Sequence, residues 1–290
     1  MTKYYVLPVA TKYWKPGEDY LKKILDAVEN RVANGDFVVV SEKALSTAVG
    51  NIVDESTVTP SFSARLISQL WMKIAWGYFL GVLCHFGQRL LRRLREYPVE
   101  AGSRHKQVAL ERAGVLQALM WGSEGGIDGS NLPFSYVSLP LNSACELAEE
   151  VREHIGRGLK KNVYVIIVDT DKTYSFMNFH FTPRPKPMKG IHSFGGVITY
   201  LLGRTLKLKK RSTPIAVSGK LHPFEALKIA NIADRAGGPG SGATVWDMAA
   251  RFNVDVTGIG WDRLERTRHT PVVIVRRGAP SRNGLWKGKG

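Results

Sequence analysis

Residues 123–133 read Ser-Glu-Gly-Gly-Ile-Asp-Gly-Ser-Asn-Leu-Pro. Gly125, Gly126 and Gly129 bracket Asp128 in a stretch that can continue neither the helical pattern before it nor the strand pattern after it. Glycine permits positive φ and a close approach of backbone to ligand. The chain therefore has to turn here and present a carboxylate. A second acidic stretch, Asp169-Thr170-Asp171, follows the β-branched run 162–168 and reads as a turn closing that strand. The chain is best explained as a scaffold that brings these two turns together around metal and phosphate.

The rest of the pattern alternates strands and helices. Tyr4 to Val9 reads as a buried strand, and Pro16-Gly17 breaks it. Glu18-Asp19 opens a helix with Leu21, Ile24, Leu25 and Val28 at helical spacing. Phe37 to Val40 is a second buried strand, and Ser41 can cap the helix after it. Two strands joined by a helix point to an α/β arrangement. His105 to Trp121 reads as one helix with Val108, Ala109, Val115, Leu116 and Leu119 inward. A strand at 134–139, a helix from Asn142 or Ser143 to Gly156 and the strand at 162–168 come next. The pattern then gives a helix at 193–203, a strand at 214–218, a helix at 222–235 and a last strand at 271–275. Residues 276–290 read as a basic, flexible tail.

Residues 66–86 are almost long and apolar enough to span a bilayer. Ser68, Gln69 and Lys73 interrupt the run, and a lysine near mid-span costs about 3 kcal/mol. At 3.6 residues per turn Leu66, Leu70, Ile74 and Tyr78 share one face. That face is expected to be buried in the core or against a second subunit. Attachment to a membrane surface is the alternative, because Arg89, Arg92, Arg93 and Arg95 follow at once.

The net charge of +16 points to an anionic partner. Arg276, Arg277, Arg282, Lys287 and Lys289 account for part of it. Between Arg204 and Arg211 lies a basic run expected to be a solvated face. With no RNA-binding motif beside it, nucleic acid is not the expected partner. Cys84 and Cys145 make neither a disulfide framework nor a zinc pattern, and the scattered histidines argue against zinc. The chain opens without a signal-peptide pattern, so a cytoplasmic location is expected. Asp128 and Asp169 are hard oxygen donors suited to Mg²⁺ or Mn²⁺ with a nucleotide. The glycine loop from Gly237 to Gly242, ahead of a helix, fits a phosphate cradle, with a flexible linker as the alternative.

These motifs resemble the coenzyme F420-0:L-glutamate ligases, the γ-glutamyl ligases of the deazaflavin coenzyme. The resemblance runs from Tyr4 to about Gly242. It rests on 7–9 with 16–19, on 37–41, on Gly126-Ile-Asp-Gly-Ser-Asn131, on Val165-Ile-Ile-Val-Asp-Thr170, and on Ala230-Asn231 before the glycine loop. It implies an α+β chain of mixed α/β character, with mixed sheets and flanking helices, over residues 1–275. A helical segment without counterpart is inserted at about 56–105. It further implies use of GTP and a divalent metal, with K⁺ as a further ion, to join L-glutamate to a phosphorylated deazaflavin-type acceptor. An intertwined homodimer is part of the same expectation. By position, the metal ligands are Asp128, Asp169 and Thr170. The nucleotide contacts are Ser41, Lys43, Asn131, Gly237, Gly238, Gly240, Ser241 and Gly242. Apart from the resemblance, Lys172, Arg184 or Lys43 is expected to orient the anionic acceptor, with Lys172 and Arg184 taken as the catalytic pair. The chain departs from the family in having Asp171-Lys-Thr-Tyr174 after Asp-Thr, Thr11-Lys-Tyr-Trp14 near the N-terminus, and no glutamate in the late glycine loop.

Overall fold

The computed structural model describes residues 3–122 and 124–278. Ser123 and residues 279–290, which include Arg282, Lys287 and Lys289, lie outside that range.

Three β-branched runs make the centre of the main sheet: β2 (Phe37–Ser41), β5 (Tyr164–Phe176) and β9 (His269–Arg277). β2 runs parallel to β5 and antiparallel to β9, and β1 (Tyr4–Thr11) pairs with β9 at the edge. β8 (Lys209–Val217) lies antiparallel along β5. β6 (Phe179–Thr182) folds back on the end of β5, and β7 (His192–Ser193) adds to it. β3 (Ile52–Asp54) and β4 (Tyr136–Ser138) form a separate antiparallel pair. The fold is α+β with mixed sheets and flanking helices.

Both faces of the central strands are covered, which explains their unbroken apolar runs. Val38, Val40, Ile167 and Ile274 pack against helices Tyr20–Val28 and Ala144–Leu159. Val39, Ile166, Val168 and Val273 pack against the Pro223–Gly237 helix through Ile229, Ala230 and Ala233. With both faces apolar, alternation alone cannot set the register of β5. Polar contacts at its entrance do so: Tyr164 donates its N–H to Asp36 O, and Val165 donates to Ser218 Oγ.

Several expectations need correction. Asp169-Thr170-Asp171 is not a turn. β5 continues through it to Phe176, and the ladder with β8 is interrupted by a bulge between Asp169 and Lys172. Bulges re-aim side chains without ending a strand. The expected helix from 105 to 121 is two helices, Val99–Arg112 and Val115–Ala118, broken at Gly114 with φ 100°. Val108 and Ala109 are buried as expected, whereas Val115 and Leu116 are exposed. β9 runs on through Arg277, whose guanidinium meets Glu225, so the first two residues of the expected tail are strand.

The segment expected to be an insertion carries the largest difference. Phe62–Leu83 is helical and long and apolar enough, by length and composition, to cross a membrane. Its Ile67–Leu80 portion winds with i→i+5 hydrogen bonds. Ser68, Met72, Trp76 and Gly77 face inward, the first three spaced four apart. Leu66, Leu70, Ile74 and Tyr78, expected inside, are each between 44% and 54% exposed. The buried side packs on Leu91, Leu94 and Met120, and both Trp71 and Trp76 donate their indole N–H to Leu119 O.

Candidate active site

A cavity of about 610 Å³ opens at the bulge of β5. Its volume lies in the range usual for small-molecule sites. Ser41, at the end of β2, and Lys43, on the Glu42–Ala48 helix, line one wall with Asp128 and Asn131. Asp169, Thr170 and Lys172 come from the bulge. Gly237, Gly238, Gly240 and Gly242 line the cavity as well, and Gly242 O accepts from the Asn131 side chain. The two acidic segments of the sequence thus meet in one space.

Asp128 is fixed from two sides. Its Oδ1 accepts from Ser130 N at 2.7 Å, and its Oδ2 lies 2.5 Å from Lys43 Nζ. Lys43 also donates to the Ser130 hydroxyl and carbonyl. Asp169 pairs with Arg184, whose other arm reaches Glu42 at 2.6 Å. Arg184 was expected to orient a substrate anion. Its side chain is only 1% exposed, and it serves instead as the cation between two carboxylates. Gly126 makes this packing possible: its φ is 98°, and a Cβ there would overlap the guanidinium. Burial pushes the Glu42 carboxyl up, Arg184 opposes it, and Asp169 adds to the rise, leaving it at about 7.

The glycine loop is held rather than open. Asn131 sits at φ 60°, a conformation asparagine tolerates. Its side chain donates to Pro239 O and Gly242 O and accepts from Ser241 N. Gly240 leaves room for this contact, since a Cβ there would come within 2.6 Å of Asn131 Oδ1. Gly238 N donates to Asp234 O and Gly242 N to Pro239 O, so three of the loop's amides already have acceptors. Ser241 is buried, and its hydroxyl meets Thr267. Thr244 and Asp247 cap the following helix, and Arg93 pairs with Asp247. What the loop offers a ligand is therefore its cavity-facing backbone, not a ring of free N–H groups.

Further residues complete the site, and His269 and Arg235 among them had no signal in the sequence. Tyr13 donates to Asn131 O and stacks on His269 at 4.4 Å. Burial lowers the His269 pKa to about 4, so the ring is neutral near pH 7. Arg204 and Arg235 line the cavity with Tyr174 and Tyr200. Lys172 donates to Ser212 Oγ at 3.0 Å and lies 3.4 Å from Asp234. The basic run splits: Lys207, Lys209 and Lys210 are exposed, while Arg211 is buried under Phe224 and Arg204 faces the cavity. No spacing rule in the sequence separates these cations.

Residues 8–224 match the sequence model of the family described as F420-0:Gamma-glutamyl ligase. The chain belongs to this family. An uncharacterized protein of Methanocaldococcus jannaschii is 37% identical over 283 residues, covering 93% of this chain and 95% of that protein. The matched region includes Ser41, Lys43, Asp128, Asn131, Asp169, Thr170 and Lys172, all on the cavity wall. The glycine loop lies beyond it.

The donor set suits a hard divalent cation. A space of about 10 Å³ lies among Glu42, Lys43, Asp128 and Asp169, roughly the size of one water. Among the described residues no group of three or more His, Cys, Asp or Glu gathers for a metal. Two carboxylates alone leave most of a Mg²⁺ coordination sphere to phosphate and water. The residues fit a metal that arrives with a nucleotide better than one bound by protein alone.

Proposed function

We propose that this chain is a GTP- and divalent-metal-dependent ligase that forms a γ-glutamyl amide between L-glutamate and a phosphorylated deazaflavin-type acceptor. In this reading GTP phosphorylates the acceptor carboxylate, and the glutamate amine attacks the resulting acyl phosphate with loss of phosphate. Asp128, Asp169 and Thr170 hold Mn²⁺ or Mg²⁺, with K⁺ as a further ion. The metal supplies charge neutralisation at the transferring phosphoryl group. Lys43 releases Asp128 and turns its ammonium toward phosphate oxygens. Lys172, between Ser212 and Asp234, provides a positive charge for the acceptor, and Arg204 and Arg235 add to the potential. Arg184 keeps Asp169 aimed. The neutral His269 stacked on Tyr13 gives an apolar shelf for a planar ring.

The observation that carries this reading is the convergence of Asp128, Asp169, Thr170 and Lys43 on the lining of one cavity large enough for a nucleotide. A cytoplasmic homodimer belongs to the same proposal. Exposed Phe176, Met177 and Phe179 at the β5–β6 turn are the surface a second copy would cover. A second reading, a binder of anions without catalysis, is favoured by the internal cation on each acid and by the occupied amides of the glycine loop. Calorimetric titration of GTP with and without Mn²⁺ separates them. The ligase reading expects GTP binding that depends on Mn²⁺, while metal-independent binding supports the second reading.

A further inference from the structure

The stretch from Ser56 to Arg95 contains Arg65, Lys73, Arg89, Arg92, Arg93 and Arg95 and no aspartate or glutamate. The same stretch carries the exposed face of the Phe62–Leu83 helix. Phe62 is 81% exposed and Phe79 67%, and Leu70, Ile74, Val82 and Leu83 are about half exposed. Arg95 lies over the exposed Tyr78 ring at 4.5 Å, so the basic helix Gln88–Arg95 borders the apolar face directly. Arg93 is held by Asp247 at 3.1 Å; Arg89 reaches the same carboxylate only at 4.0 Å with its side chain 77% exposed, and Arg65 and Arg92 are exposed too.

We infer that this face docks on the surface of an anionic lipid bilayer. Apolar side chains on one side of a helix, edged by arginines, are the composition of interfacial helices. Arginines snorkel, keeping their charge in the headgroup layer while the stem lies along apolar surface. The helix does not cross the bilayer. Met72 and Trp76 are fully buried against Leu91, Leu94 and Met120, and Trp71 and Trp76 both bond Leu119 O, which fastens one side to the protein. A second copy is a poorer occupant. A two-fold contact places the same patch against itself, and this patch would oppose its own arginines with no acid to meet them. The inference stands independently of the ligase reading.

Co-sedimentation of the full chain with vesicles of phosphatidylcholine, with and without phosphatidylglycerol, tests it. Binding is expected only with phosphatidylglycerol and is expected to weaken with added salt. Neutralising Arg89→Gln and Arg92→Gln should weaken it about fivefold each. Phe62→Ser and Phe79→Ser should each weaken it by roughly an order of magnitude, with an unchanged melting temperature because both residues are exposed. Wild type that stays in the supernatant overturns the inference. So does equal binding to both vesicle types. Loss of a dimer on Phe79→Ser, in a protein that does not sediment with vesicles, assigns the face to a second copy instead.

Discussion

Replacing Arg184 with methionine tests how the candidate site is held together. The guanidinium is the shared cation of Glu42 and Asp169, and its side chain is 1% exposed. Methionine fills much of the volume but leaves two carboxylates facing each other without a positive charge. Breaking a buried ion pair from one side typically costs about 3–5 kcal/mol. The pH dependence identifies the cause. Glu42 already titrates above its unfolded value of 4.5, at about 7. A carboxyl raised on folding gives stability that is full below its unfolded pKa and lost as pH rises through the folded one. Without Arg184 the Glu42 pKa rises further, because the guanidinium was lowering it. Each pH unit over which a carboxyl must stay protonated costs about 1.4 kcal/mol. Up to pH 7 Glu42 costs wild type and the variant alike, so the pH-dependent gap between them should open above pH 7, growing by about 1.4 kcal/mol per unit to about 3 kcal/mol by pH 9. Urea denaturation followed by tryptophan fluorescence across this range measures the difference. Adding Glu42→Gln to the variant should restore part of the stability, since it removes one of the facing charges. A loss equal at all pH values, or no recovery in the double variant, refutes the shared-cation account.

Other outcomes follow from neighbouring contacts. Gly126→Ala should destabilise by more than about 1 kcal/mol, through positive φ and overlap with Arg184; wild-type stability in thermal melts would contradict that. Asn131→Ala removes three hydrogen bonds to the 239–242 segment. Amide exchange at Ser241 should speed up by an order of magnitude or more, with little change in core strands. His105 lies between Glu55 and Glu124. Burial lowers its pKa, but the two acids outweigh this and raise it to about 10. Its contribution to stability is complete below about 6.5 and should disappear as pH rises through 10. A His105→Gln variant should lose that alkaline slope in pH-dependent melts.

The central strands were legible because runs such as 37–40 and 162–168 have only one cheap burial, inside a sheet covered on both faces. Asp128 was legible as a turn because three glycines surround it. Asp169 was correctly grouped with it but wrongly ended its strand. The residues that carry β5 onward, Thr173 and Tyr174, find partners in Arg211 and Lys210 of a strand far along the chain. No local spacing announces such a pairing. The helix from Phe62 misled because a spacing of four picks out two faces, Leu66, Leu70 and Ile74 on one and Ser68, Met72 and Trp76 on the other. Only packing on Leu91, Leu94 and Met120 decides which is buried. Arg184 read as a substrate ligand because charge invites that reading. Its burial, its pairs with Glu42 and Asp169 and the cleared space at Gly126 show it to be internal. The cavity roles of Tyr13, His269 and Arg204 depend on three separate elements meeting, which neither composition nor periodicity encodes.

The most direct test of the ligase account is mass spectrometry of a deazaflavin phosphodiester acceptor incubated with the purified chain, L-glutamate, GTP and Mn²⁺. The account predicts an acceptor heavier by one or more glutamyl residues, with GTP consumed. Asp128→Asn and Asp169→Asn should each slow the product by an order of magnitude or more, with their folds intact. An acceptor of unchanged mass in the presence of bound GTP and Mn²⁺, or full activity in both variants, would contradict it.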